Sequence, residues 1–157
     1  MTPPEDAVPS LLKTKPTWLI GQVSARAHGV LAARLGQVGA RGYHARVLAA
    51  LAEFGSASQA TLGRRAELDR SDVTAVVGEL AAAGLVRRVT DPDDRRRNVV
   101  TITDAGTERL RELDGILTAV QDEVLAPLSA DERTVLAELL TRLLDRDSFG
   151  RPAPAQR

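Results

Sequence analysis

The sequence predicts a mainly α-helical fold with a small β-hairpin wing, combining a winged helix-turn-helix with a helical dimerisation region. Apolar residues recur at intervals of three and four over most of the chain, which is typical of amphipathic helices. Residues 85–103 instead contain two runs with a two-residue period, which is typical of strands. These runs directly follow two short helical patterns, and this order is that of a helix-turn-helix with a wing.

The composition limits the kind of protein. A chain of 157 residues is long enough for one hydrophobic core, so we expect a single domain. It contains no cysteine, which excludes disulfide scaffolds, thiolate zinc sites and cysteine redox sensing. No apolar run reaches the roughly 20 residues of a membrane span, and the first residues lack the apolar segment of a signal peptide. We therefore expect a soluble, cytoplasmic protein.

The expected domain organisation has three parts. Residues 1–15 form a flexible leader, residues 16–146 form the domain, and residues 147–157 form a flexible tail. Within the domain, residues 16–54 and 104–146 supply the dimerisation helices, and residues 56–103 form the winged helix-turn-helix.

Two helices precede the helix-turn-helix. The first is predicted over residues 18–35 by one apolar face: Leu19, Val23, Ala27, Val30 and Leu31. The second is predicted over residues 43–54, and Gly55 ends it.

The helix-turn-helix itself is marked by two capping residues. Ser58 is placed to cap a short third helix over residues 58–68. Asp69 is placed to cap a fourth helix, which Gly84 ends. The fourth helix carries an apolar stripe that commits one face to the core: Val73, Val76, Val77 and Leu80.

The wing is predicted from the alternation that follows. Val86, Val100 and Ile102 point to one face of a hairpin, and polar neighbours point to the other. Between the runs, Asp91, Pro92, Asp93 and Asp94 favour a turn, because proline fixes φ and aspartates bond their own backbone. We therefore expect Arg95, Arg96 and Arg97 to project from an exposed loop.

The last third of the chain predicts two long helices. The first begins at Thr103 and ends at Pro127, with a seam of Leu110, Leu113, Leu117, Val120 and Val124. Ser129 and Glu132 form a capping box that opens the second, in which six residues are expected to be buried: Val135, Leu136, Leu139, Leu140, Leu143 and Leu144. A two-fold dimer would cover these helices, and the alternative is intramolecular packing in a monomer.

The fourth helix holds the candidate DNA-reading residues. The second helix of a helix-turn-helix lies in the major groove with its N-terminal residues toward the base edges. The outward positions there are Arg70, Ser71, Asp72, Thr74 and Ala75. Asp72 has a second interpretation, because an acid in the first turn also favours the helix dipole. On the preceding helix, the residues expected to hold phosphates are Ser58, Gln59, Arg64 and Arg65.

The arginines at the wing tip have a different predicted role. A guanidinium in a narrow minor groove is attracted by its negative potential without reading much sequence. Arg95, Arg96 and Arg97 are candidates for this contact. The alternative is a solvated charge run on an ordinary hairpin.

The motifs from the fourth helix through the wing resemble those of the MarR family of transcriptional regulators. The similar elements are Gly84-Leu85-Val86, Asp91-Pro92 with Asp94-Arg95-Arg96, and Thr103 with Gly106. The resemblance implies an obligate dimer whose two winged lobes bind successive major grooves of a pseudo-palindromic operator, usually to repress. It also implies that Arg96 enters the minor groove, that Asp94 orients it, and that a small aromatic or anionic ligand releases the DNA.

Candidate ligand-binding residues lie on the first two helices: Trp18, His28, Tyr43 and His44. Three of them also have a purely structural interpretation. Trp18 suits a core or dimer-interface position, His44 suits a neutral, hydrogen-bonded imidazole, and His28 suits an exposed position without a ligand. Two histidines without clustered carboxylates make a poor zinc site, so we predict no metal and no cofactor.

The function predicted from these features is sequence-specific binding of double-stranded DNA by a homodimeric regulator of bacterial type, found on the nucleoid when bound. A formal net charge of zero argues against binding through bulk charge alone. The alternative is a winged-helix module for protein assembly. An enzyme is not expected, because no phosphate loop, cysteine nucleophile or paired acid-base motif is present.

Overall fold

The computed structural model describes residues 8–90 and 98–145. The described residues form seven helices and one β-hairpin: α1 (Ser10–Lys13), α2 (Pro16–Gln37), α3 (Gly42–Phe54), α4 (Gln59–Ala66), α5 (Arg70–Ala82), β1 (Val86–Thr90), β2 (Asn98–Ile102), α6 (Asp104–Val124) and α7 (Ala130–Leu144). The mainly α fold with a hairpin wing is confirmed. In the described part of the chain, no helix is both long and apolar enough to cross a bilayer.

The chain divides into two compact units, Met1–Gln121 and Asp122–Arg157. The predicted flexible leader, single domain and flexible tail stay predictions. Residues 10–13 of the leader form the short helix α1, which the sequence analysis did not include.

The core of the first unit lies under the helix-turn-helix. Its fully buried side chains come from α2 to α6 and the wing: Leu35, Leu48, Leu51, Leu62, Leu80, Leu113, Val47, Val73, Val76, Val77 and Val100. The predicted apolar stripe of α5 is confirmed, because all four of its members are buried. Since α5 buries this stripe, its opposite face is left for other contacts.

The caps predicted from local sequence form as expected. Ser58 accepts a hydrogen bond from the N–H of Thr61 at 3.2 Å and begins α4. At the end of α5, Gly84 takes a φ of +71°, a conformation that other residues adopt only with strain, and the chain turns into β1.

The wing differs from the predicted alternation. Val86 pairs with Ile102 and Arg88 with Val100 in an antiparallel ladder, yet the neighbours Val99 and Val100 are both buried. A third backbone segment also contacts β2, because Ala57 forms a bridge with Val100, with hydrogen bonds of 2.8 and 3.1 Å. The wing base is therefore tied to the residue that precedes the cap of α4.

The second unit contains α7, which begins with the predicted capping box. Ser129 Oγ accepts from the N–H of Glu132, and the carboxylate of Glu132 accepts from the N–H of Ser129 at 2.8 Å. Arg133 and Asp122 form an ion pair at 2.8 Å.

The predicted burial of the apolar positions of α7 is wrong for the single chain. Leu136 is half-buried, and the other five positions are exposed, up to 80% for Leu144. On α2, Leu19 and Val23 are likewise exposed. The spacing of the apolar residues predicts both helices correctly. It does not show which surface covers those residues.

Candidate nucleic-acid interface

The helix-turn-helix places the N-terminal turn of α5 at the surface. Arg70, Ser71, Thr74 and Ala75 are exposed, and Asp72 is half-buried. The structure therefore brings four of the five predicted base-reading residues to one accessible face. Their contact with DNA stays a prediction.

Asp69 holds this turn in place. Its Oδ1 accepts hydrogen bonds from the N–H of Asp72 and from the hydroxyl of Ser71, both at 2.8 Å. These donors stabilise the ionised carboxylate, and the backbone N–H of Asp72 contributes most to lowering the pKa of Asp69 below its ordinary value of 3.8. Asp69 is thus an ionised cap at neutral pH.

Asp69→Asn is expected to change how stability depends on pH. Because the pKa is lower in the folded chain than in the unfolded one, ionised Asp69 stabilises the fold above the unfolded pKa. That contribution disappears as the pH falls through the folded pKa. Asparagine also caps helices but does not titrate. The stability difference between wild type and D69N should therefore shrink on acidification below about pH 4, in urea unfolding measured at several pH values. A difference that stays constant with pH would contradict this role.

The hydroxyls of the α5 turn are engaged locally. Ser71 donates to Asp69, and Thr74 donates to the carbonyl of Arg70 at 2.8 Å. Their oxygens still accept hydrogen bonds, and the Thr74 methyl group stays available for an apolar contact. Among the predicted base-reading residues of this turn, Arg70 has a long side chain with several hydrogen-bond donors, which suits it to reach a base edge.

The predicted phosphate-binding residues of α4 have different surroundings. Ser58 uses its oxygen as the cap, and Arg64 is exposed and donates to Thr61 Oγ1 at 3.3 Å. Gln59 is half-buried, and its Nε2 is buried without a hydrogen-bond partner among the residues that the structure describes. Arg65 stacks on Phe54, with its guanidinium carbon 4.7 Å from the ring centre.

The wing contributes Arg87 and Arg88, which are both exposed on β1. The predicted minor-groove residues Asp94, Arg95, Arg96 and Arg97 lie outside the described residues. At the other end of the hairpin, Thr103 Oγ1 donates to the carbonyl of Gly84 at 2.8 Å and accepts from the N–H of Gly106 at 3.0 Å. Thr103 therefore links the end of α5 to the start of α6.

The predicted ligand residues separate into different places. His28 and Tyr43 line one cavity of about 640 Å³, which we call the α2–α3–α6 cavity. Its lining is mostly apolar and includes three charged side chains, Arg41, Arg46 and Asp114. His44 lines a second cavity of about 500 Å³ between α3, α5 and α6, and Trp18 lines neither. The structure therefore does not gather the four residues into one site.

A polar cluster that the sequence does not predict lies between these cavities. The Arg41 guanidinium bonds both carboxylate oxygens of Glu79, and His44 Nε2 lies 2.8 Å from Glu79 Oε2. His44 Nδ1 accepts from the N–H of Arg41 at 3.2 Å, so the Nε2 nitrogen carries the proton that is donated to Glu79. Donation from His44, followed by that from Arg41, lowers the pKa of Glu79. No local spacing indicates this cluster, because Arg41 and Glu79 are 38 residues apart.

No three histidine, aspartate or glutamate side chains converge as metal ligands among residues 8–90 and 98–145. The absence of a metal stays a prediction.

Comparison with known proteins identifies the family. The model of the MarR family matches residues 39–97. The HTH-type transcriptional repressor NicR of Pseudomonas putida is 31% identical over 100 residues, which cover 64% of this chain and 63% of that protein. A putative transcriptional regulatory protein for the hcr operon of Thauera aromatica is 36% identical over 58% of this chain and 55% of that protein. The match thus spans less than two thirds of the length of these curated relatives.

Solved structures extend the likeness over more of the chain. A probable transcriptional regulator from Pseudomonas aeruginosa is 32% identical, with a TM-score of 0.74 over 84% of this chain and 98% of that one. The PcaV transcriptional regulator from Streptomyces coelicolor, in complex with its natural ligand, is also 32% identical, with a TM-score of 0.70 over 88% of this chain and 96% of that one. On these matches and on its winged helix-turn-helix, the chain belongs to the MarR family.

Proposed function

We propose that this protein is a sequence-specific, double-stranded DNA-binding transcriptional regulator that acts as a homodimeric repressor on a pseudo-palindromic operator. The observation that carries this function is the exposed N-terminal turn of α5. Asp69 caps the turn, the opposite face of α5 is buried, and Arg70 and Thr74 are accessible. The family relationship supports it, since NicR is named a transcriptional repressor. The relatives named above are bacterial proteins, so we place this protein in the bacterial cytoplasm with its DNA.

The homodimer is part of the proposal because α2 and α7 have apolar side chains that are exposed to solvent in the single chain. On α2 these are Leu19, Ile20 and Val23, and on α7 they include Val135, Leu139 and Leu143. Exposed apolar residues at helical spacing are typical of a surface that another chain covers. A second copy would cover them and supply the second reading head that a pseudo-palindrome requires.

Release by a small effector is the third part of the proposal. The α2–α3–α6 cavity of about 640 Å³ has the size and the mixed apolar and charged lining of a small-molecule site. Two arginines against one aspartate favour an anionic ligand. The solved PcaV structure contains that protein's natural ligand, which supports a ligand-responsive regulator here.

Binding to a genomic duplex at two salt concentrations tests the function. A protein that neutralises phosphates loses affinity steeply as salt rises, whereas a winged-helix module for protein assembly does not. Arg70→Ala should weaken operator binding by about 1–3 kcal/mol and relax the preference at particular base pairs. Arg96→Ala should weaken operator and non-operator binding alike. Fluorescence anisotropy with operator and scrambled duplexes distinguishes the two effects.

The matched control for these variants is Arg111→Ala. Arg111 is an exposed arginine of α6 that pairs with Glu108 of the same helix and is not among the predicted DNA-binding residues. Its replacement should leave duplex affinity unchanged. If R70A and R96A also retained full affinity and sequence preference, the proposed DNA-binding surface would be wrong.

A further inference from the structure

We propose that Arg41 couples the α2–α3–α6 cavity to the DNA-reading helix: the carboxylate of an aromatic ligand in the cavity takes the Arg41 guanidinium from Glu79. This inference rests on the proposed function and adds its regulatory step. It concerns a residue that both lines the cavity and bonds Glu79 of α5.

The position of Arg41 allows the ligand carboxylate and Glu79 to compete for its guanidinium. It precedes α3, lines the cavity beside Leu35 and Tyr43, and directs its guanidinium to both oxygens of Glu79. A carboxylate in the cavity would present the same pair of acceptor oxygens to the same planar group of donors. Ligand and Glu79 therefore compete for one binding partner.

The exposure of the ion pair makes this exchange favourable. The side chains of Arg41 and Glu79 are 56% and 46% exposed, and ion pairs this close to water are weak. A ligand ring seated on Leu31 and Leu35 would shield its own carboxylate from water and so strengthen the new pair.

The other charged residues of the cavity fit this role less well. Arg46 donates to the carbonyl of Ala66 at 3.4 Å, and its guanidinium carbon lies 5.7 Å from the Tyr43 ring centre. Asp114 repels an anion, which disfavours ligands with two negative charges. The cavity chemistry therefore favours an aromatic monocarboxylate.

The loss of Arg41 would change how α5 is held. Glu79 lies on the same helix as Arg70. Among the described residues, its carboxylate is bonded by Arg41, which directly precedes α3, and by His44 of α3. Once Arg41 turns to the ligand, the Glu79 carboxylate keeps the hydrogen bond from His44 but loses the one from Arg41, so α5 is less firmly held against α3. Ligand binding and DNA binding then oppose each other, and this coupling acts equally in both directions.

The experiment uses benzoate, salicylate and 4-hydroxybenzoate as probes, with benzamide as the uncharged comparison. Calorimetry gives their affinity for the full chain, and anisotropy gives duplex affinity with and without each acid. R41Q should lower the affinity for the acids about tenfold and leave that for benzamide unchanged. E79Q should raise the affinity for the acids roughly threefold, because the competing carboxylate is gone.

Two features separate this mechanism from a general structural effect. The gain from E79Q should vanish in the R41Q background, and duplex affinity of E79Q should no longer respond to the acids. The matched controls are R111Q and E108Q, another exposed arginine–glutamate pair whose members line neither cavity. They should behave as wild type in every measurement.

The results that would overturn the coupling through Arg41 differ from the result that would refute DNA binding. The proposal is overturned if none of the acids binds wild type more tightly than benzamide, or if E79Q has the same effect with and without Arg41. It is overturned equally if E79Q keeps the full response of duplex affinity to the acids. All these results leave the proposed DNA-binding function standing, whereas a wild type that binds no duplex refutes that function itself.

Discussion

Gly106→Ala is expected to destabilise the first unit by about 3 kcal/mol, because the added methyl group has no room. A Cβ at this position would lie 2.0 Å from the carbonyl oxygen of Leu85 and 2.8 Å from Cγ1 of Ile102. The Leu85 carbonyl cannot easily retreat, since it accepts a hydrogen bond from the N–H of Thr103 at 3.1 Å. The start of α6 would have to move away from the base of the wing.

Urea unfolding followed by circular dichroism measures this effect. The matched control is Gly115→Ala on the same helix, where a Cβ would meet nothing within 4 Å. Because alanine favours a helix over glycine, G115A should stabilise the chain by about 0.5–1 kcal/mol. Equal unfolding midpoints for the two variants would show that α6 does not approach Leu85 as described.

Leu139→Asp is expected to dissociate the proposed homodimer at a cost on the order of several kcal/mol, because an unpaired charge would be buried in the interface. In the single chain Leu139 is 48% exposed, so the fold of one subunit does not depend on its burial. The variant should therefore be a folded monomer. Loss of the second reading head should also weaken binding to a palindromic duplex.

Analytical ultracentrifugation over a range of concentrations tests this expectation. Thr134→Asp is the control, since Thr134 is an exposed polar residue of the same helix that donates to the carbonyl of Ala130 at 3.1 Å. T134D should remain a dimer. An L139D protein that sediments as a dimer at every concentration would exclude α7 from the interface.

The predicted site divides into a part that the structure describes and a part that it does not. Arg70, Ser71 and Thr74 are found on the exposed turn where the helical spacing placed them. The wing residues from Asp94 to Arg97 lie outside the described residues, and their role stays a prediction. The sequence predicts His28 and His44 as residues of one ligand site, but they line two different cavities.

The sequence by itself determined the elements whose cause is local. Ser58, Asp69 and Ser129 accept hydrogen bonds from N–H groups three residues ahead, and the apolar stripe of α5 repeats within one helix. A cap or a stripe depends on neighbours within a turn or two, so its pattern is visible in the printed chain.

Only the tertiary structure decided the contacts that join separate elements. Ala57 bridges Val100, Thr103 bonds the carbonyl of Gly84, and Arg41 bonds Glu79 across tens of residues of chain. The printed sequence does not show which exposed arginine pairs with which exposed glutamate. Which two of them meet is set by how the helices pack, because packing brings their surfaces within hydrogen-bond distance.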